Sequence, residues 1–198
     1  MILNLGIHTT MNSAPPIPEE IIKLFDKSSI ALSLASAGSD KPLIAANKKF
    51  CELTGYDIEE IVGKNCRFLQ GNYDNTDAKK NIHQFLNGNA GLSIRQPLIN
   101  VKADGTPFIN LLYMSRLCDG TGNTQFILAS QFDISNTHTE NLNHYGVVLG
   151  NTLKKITPLA HQAGIILEGS ITALANSTAM IAQAKLTLAE LQSANHIF

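Results

Sequence analysis

Charge is scarce in this chain. Asp, Glu, Lys and Arg make up 16% of its 198 residues, against roughly a quarter in an ordinary soluble domain. With 44% hydrophobic residues, the chain has ample material for a core, and disorder over most of its length is excluded. No sign of charge dominates. Lys and Arg total 15, Asp and Glu total 16, and the net charge is −1. A strongly basic nucleic-acid binder is therefore not the default reading. Long apolar runs are missing too: none approaches the ~18 residues of a membrane-spanning helix. Cysteine is sparse, with Cys51, Cys66 and Cys118 only. Three do not make a disulfide framework, so a reducing, cytoplasmic setting is expected. The N-terminus, MILNLGIHTT, lacks a basic n-region, and a secretory leader is not expected. There is no internal repeat and no low-complexity tract.

What is present reads as one domain with an appendage. Residues 1–17 hold Pro15 and Pro16 and little periodicity, as in a flexible lead. Pro18 suits a first helical turn, and Ile21, Ile22, Leu24 and Phe25 follow at helical spacing, predicting a short helix over 18–27. Ile30 to Leu34 and Leu43 to Ala46 read as strands, joined by the turn residues Ala37 to Pro42. Lys48 to Leu53 and Ile58 to Val62 read as short helices. Asp57 with Glu60 three residues on is a capping-box pattern. Asp77 to Asn87 predicts a longer helix. Ser93 to Val101, Thr106 to Met114 and Gln125 to Asp133 alternate as strands, and Asp104-Gly105 marks a hairpin between the first two. The total is an α+β domain with five antiparallel strands and the short helices gathered on one face.

The character changes after Asn136. From His138 to Phe198 the only acidic or basic residues (His apart) are Glu140, Lys154, Lys155, Glu168, Lys185 and Glu190. Leu142, Tyr145, Leu149, Leu153 and Ile156 keep helical spacing, as do Ile171, Leu174, Ile181 and Leu188. Pro158 predicts a kink or break, with Thr157 as a cap. Gly164 and Gly169 predict a second break. The expectation is a helical hairpin.

Residues 63–70 read Gly-Lys-Asn-Cys-Arg-Phe-Leu-Gln. This stretch resembles the GxNCRFLQ signature of LOV (light-oxygen-voltage) domains, the flavin-binding blue-light sensors of the PAS superfamily. Further landmarks stand at proper intervals: Leu53 to Tyr56, Asn100 with Lys102 to Gly105, Phe108 to Leu111, and Ser130 to Asp133. The resemblance covers about residues 20–134. With the apolar tail, the whole resembles the bacterial short LOV photoreceptors, which carry a sensor core and helical extensions.

The resemblance implies a PAS fold and a flavin cofactor, FMN first, with riboflavin or FAD as alternatives. It implies that Cys66 bonds reversibly to flavin carbon C4a after illumination, while ring nitrogen N5 gains a proton. Asn65, Gln70, Asn100, Asn110 and Gln131 fall where the family contacts flavin. Carboxamides, which both donate and accept, suit the alternating edge of the ring. Gln131 is the implied transmitter of the signal. Ser33 falls where relatives carry a Thr near the ring. Arg67 matches the phosphate-binding Arg, and His83 stands where a second Arg is usual. Imidazole is shorter and largely neutral at pH 7, so weaker phosphate binding is expected there. No metal site is expected.

The domain expectation is a lead over 1–17, a LOV domain with its N-terminal helix over 18–135, and a helical extension for dimerisation and output over 136–198. Apolar faces of that extent predict a homodimer. An unidentified downstream signalling protein is expected, with no nucleic acid, no membrane and no turnover chemistry. Two other readings stand beside this one. The first is a degenerate histidine kinase or phosphotransfer protein using His144, although no stretch reads as an ATP-binding domain. The second is a light-independent flavin redox sensor using the same pocket.

Overall fold

The computed structural model describes residues 17–88, 91–135 and 139–167. Helix α1 (Glu19–Lys27) follows Pro18 and buries Ile21 and Phe25. Strands β1 (Ala31–Ser36) and β2 (Leu43–Ala46) pair antiparallel. Helix α2 (Lys48–Thr54) begins at Asn47 and helix α3 (Ile58–Ile61) at Asp57. The Glu60 carboxylate accepts the Asp57 amide at 3.1 Å, closing the predicted cap. A 3-10 turn spans Cys66–Leu69, and helix α4 spans Thr76–Leu86. Strands β3 (Ser93–Val101), β4 (Pro107–Asp119) and β5 (Thr124–Gln131) follow. The β3–β4 hairpin turns on Asp104, which accepts the Thr106 amide at 2.8 Å, and on Gly105 at φ +86°.

The sheet order is β2-β1-β5-β4-β3. Its two faces are both covered. On one face Ala31, Leu43 and neighbouring side chains pack under α2, α3 and the 3-10 turn. Phe85 of α4 packs there against Met114, Ile127 and Ala129. On the other face Leu32, Leu34, Ile99, Tyr113 and Leu128 join one core with Ile21 and Phe25 of α1 and a long helix, α5 (Thr139–Gln162). Strand alternation makes this division: odd positions of β1 look one way and even positions the other.

Asn47 ties three elements together. Its Oδ1 accepts the Leu32 and Phe50 amides at 3.0 Å each, and its Nδ2 donates to the Phe25 and Ile30 carbonyls at 2.9 Å each. All four of its hydrogen-bonding positions are therefore filled.

Two expectations need correction. Helix α5 continues through Pro158 without a break, and Thr157 is not a cap; its hydroxyl donates to the Leu153 carbonyl at 2.8 Å within the helix. Ile156 and Ala160, on either side of the proline, are fully buried at 0% exposure. Packing on both sides outweighs one lost backbone bond. The apolar face of α5 packs on its own sheet, as Leu142, Tyr145, Leu149, Leu153 and Ile156 join the core there. The segment after α5 is not helical throughout. Gly164, at φ +72°, turns the chain into a short strand, β6 (Ile165–Leu167), which pairs antiparallel with Leu117 to Asp119 of β4. This pairing and that with β5 also carry β4 five residues beyond its predicted end at Met114. The second arm of the expected hairpin lies outside the described residues, as does the lead over 1–16.

Candidate functional site

A cavity lies between the sheet and the helices of its first face. It encloses about 710 Å³ of space, part of it open solvent at its mouth. Its apolar walls come from Leu43, Leu69, Ile82, Leu86, Leu98 and Ile127, among others. Ser33, Asn65, Cys66, Arg67, Gln70, Asn100, Asn110 and Gln131 also line it. Every site residue expected from the sequence is thus brought to one cavity except His83. That side chain is exposed on α4, and its ring Nε2 lies 2.9 Å from Asn87 Nδ2.

Strand register gathers the polar groups. Asn100 and Asn110 sit on the two arms of the hairpin, and Asn110 Nδ2 donates to Asn100 Oδ1 at 2.9 Å. Asn110 Oδ1 accepts the Phe132 amide at 3.2 Å. Ala31 pairs with Gln131, which brings Ser33, two residues along β1 on the same face, within reach of the glutamine. Gln131 Nε2 donates to Ser33 Oγ at 3.1 Å. Burial pushes the Cys66 thiol up to about 12, and the nearby Ser33 hydroxyl offsets only part of that rise. The thiol keeps its proton at neutral pH.

Gln131 is 3% exposed, and its Oε1 has no hydrogen-bond partner within the described residues. A buried carbonyl left so is costly. This orphaned acceptor, with four further carboxamides on the walls, fits a flat ligand whose edge alternates donors and acceptors, as a flavin's does.

Charge gathers at the Asn65–Arg67 end. Arg67 Nη2 donates to Asp40 Oδ1 at 2.6 Å. Lys41 lines the cavity too. The sequence marked its loop only as a turn; a lone lysine between Asp40 and Pro42 was the available signal.

Behind Gln131 the strand meets α5. Ser130 Oγ lies 3.1 Å from Tyr145 Oη, and the Phe132 ring stacks on Tyr145 with centroids 4.4 Å apart. Burial pushes the Tyr145 phenol up to about 12. Periodicity marked Tyr145 as apolar filling alone and missed this contact.

Residues 31–136 match the PAS domain family model. A LOV protein from Rhodobacter sphaeroides is 26% identical, with a TM-score of 0.70, over 84% of this chain and 95% of that one. The LOV domain of the EL346 blue-light-activated histidine kinase from Erythrobacter litoralis is 30% identical, with a TM-score of 0.51, over 55% of this chain and 98% of that domain. A blue-light-activated histidine kinase of Brucella anthropi is 42% identical over 98 residues, which is 48% of this chain and 19% of the kinase. The chain belongs to the PAS family and, within it, to the LOV domains. It spans about a fifth to a quarter of the length of the curated kinases it matches. No helix among the described residues is long and apolar enough to cross a membrane.

Proposed function

We propose that this chain is a cytoplasmic blue-light photoreceptor that holds a flavin, FMN by preference, in the cavity under its sheet. A flavin there supplies the light absorption and a ring carbon open to attack. Cys66 supplies the rest. Its protonated thiol would supply both the sulfur for C4a and the proton for N5, the S–H bond and the C4a=N5 π bond giving way to S–C and N–H bonds. The reverse exchange in the dark restores the thiol, and nothing is turned over. The observation that carries this reading is the placement of Cys66 on one cavity wall with five carboxamides, among them the buried Gln131, whose Oε1 has no partner within the described residues. Asn65, Gln70, Asn100 and Asn110 hold the ring edge in this scheme.

Gln131 is the transmitter. Its unpartnered Oε1 makes its amide responsive to a change of donor at the ring. Its two chain neighbours, Ser130 and Phe132, both grip Tyr145, so a turn of the glutamine reaches α5 in one step. Output then passes to the C-terminal segment, to a homodimer formed there, and to a downstream signalling protein. Val147 of α5 and Ile166 of β6 are exposed apolar side chains available to such contacts.

The test is an absorption spectrum before and after blue light. The purified protein is expected to be yellow and to bleach reversibly. Cys66→Ala should stay yellow and not bleach. A Cys66→Ala protein that still bleaches and recovers would remove Cys66 from the chemistry. ATP-dependent labelling of His144, which is exposed on α5, would favour the phosphotransfer reading instead.

A further inference from the structure

We infer that Asn75 is the clasp of the cavity, a positioning residue that pins helix α4 to strand β3 and so sets how tightly the slot between them holds its ligand. The inference rests on the flavin reading and names what governs release of that ligand.

Asn75 immediately precedes α4, and its backbone carbonyl accepts the Lys79 amide at 2.8 Å. An asparagine at the start of a helix ordinarily turns its side chain back onto the first amides of that helix. This one makes no such bond. The Thr76 amide goes to Asp74 Oδ1 at 3.0 Å instead, and the Asn75 carboxamide is directed at β3. Its Nδ2 donates to Ile99 O at 2.8 Å, and its Oδ1 accepts Ile99 N at 2.9 Å. Strand β3 ends the sheet order, so no further strand among the described residues takes those two groups. The carboxamide supplies the donor and acceptor that a neighbouring strand would have supplied. Asn75 is 4% exposed and Ile99 is 0% exposed, and a buried backbone pair has to be satisfied from within the protein.

The place of the clasp gives it a consequence. Ile99 stands between Leu98 and Asn100, which both line the cavity, and Asn100 also accepts Asn110 Nδ2 at 2.9 Å. On α4, Ile82 and Leu86 line the same cavity. One carboxamide therefore fixes the apolar wall from the helix relative to the polar wall from the sheet. A second bond between the two elements, Asn81 Nδ2 to Gln96 Oε1 at 3.0 Å, is exposed, where water competes for both partners. A flat ligand is held by contact with the walls around it. A gap of about 0.5–1 Å forfeits a quarter to a half of each such contact, so a small outward shift of α4 loosens the whole slot.

The experiment uses the full chain loaded with FMN, kept dark and diluted, with the released flavin filtered off and measured over time. Asn75→Ala should release FMN about five- to twentyfold faster than wild type. Asn75→Asp has nearly the same volume and can accept Ile99 N, but its carboxylate cannot donate to Ile99 O; it should release FMN faster by a similar factor. Asn81→Ala should stay within about twofold of wild type, because its bond is exposed. Tyr145→Phe loses a buried hydrogen bond on the opposite face of the sheet and should also stay within about twofold. In the flavin-free chain, amide hydrogen exchange at Ile99 should quicken about tenfold in both Asn75 variants. Wild-type release rates in the Asn75 variants overturn the inference and leave the flavin reading intact. Equal acceleration in Tyr145→Phe overturns it too, because release would then follow stability alone. Unchanged exchange at Ile99 overturns the clasp itself, with or without flavin. A wild-type chain that takes up no flavin overturns the reading and, with it, the role in release.

Discussion

Removing one oxygen atom from Tyr145 should separate the photochemistry from its output. Ser130 is fully buried at 0% exposure, Tyr145 is at 2%, and their hydroxyls meet at 3.1 Å. Tyr145→Phe leaves the ring stack on Phe132 in place and strands the Ser130 hydroxyl. A buried polar group that loses its partner costs about 1–3 kcal/mol. For a chain near this size, ~2 kcal/mol lowers Tm by roughly 4–8 °C. Ser130→Ala strands the phenol instead and should cost about as much. Removing both partners costs little more than removing one, so the double variant should fall short of additivity by about 1–2 kcal/mol. Denaturant unfolding of the four proteins measures this. All four should bleach in blue light, since Cys66 and Ser33 are untouched. Light-induced change in hydrodynamic size, followed by chromatography with light scattering, should shrink in Tyr145→Phe. Additive losses together with a full light response would refute the argument, because the hydroxyl pair would then neither couple nor transmit.

Two other outcomes concern stability. Asn47→Ala removes four buried hydrogen bonds across α1, β1 and α2 and should cost about 3–5 kcal/mol in urea unfolding; a loss below ~1 kcal/mol would mean the contacts re-form without it. The second concerns pH. The folded Cys66 thiol is pushed up to about 12 from an ordinary 9.0. Between those values the folded chain keeps a proton that the unfolded chain has shed, so stability falls as pH rises. From about pH 9 to about pH 10 the wild type should lose ~1 kcal/mol more than Cys66→Ala. Parallel curves for the two proteins would show that the thiol is not shielded.

Local chemistry was the legible part of this fold. Asp57 with Glu60, Asp104 with Gly105, and the alternation over Ser93–Val101 each act within a few residues, and each formed where the spacing put it. The signature around Cys66, with Ser33, Asn100, Asn110 and Gln131, was enough to gather eight side chains at one cavity. What stayed hidden depends on distant partners. Arg67 meets Asp40 across 27 positions, and nothing near either residue announces it. Pro158 looked like a stop because its cost is local, while the burial of Ile156 and Ala160 that overrides it is not. Ile165 to Leu167 could not be read as a strand without knowing that β4 leaves an edge there to receive it.

That three-residue strand changes what α5 can do. The helix leaves the sheet from β5 and returns to it at β6, so it is anchored at both ends of its length on the same support. A helix held at one end can swing away as a lever. One held at two ends behaves like a strung beam, and lifting it requires the β6 ladder to unzip first. The compliant point along the beam is Pro158, where the backbone lacks one of its own bonds. On the proposed reading, a small push at Tyr145 would travel along the helix as twist or slide and reach Leu167 as a change of tension on the strand that fastens it.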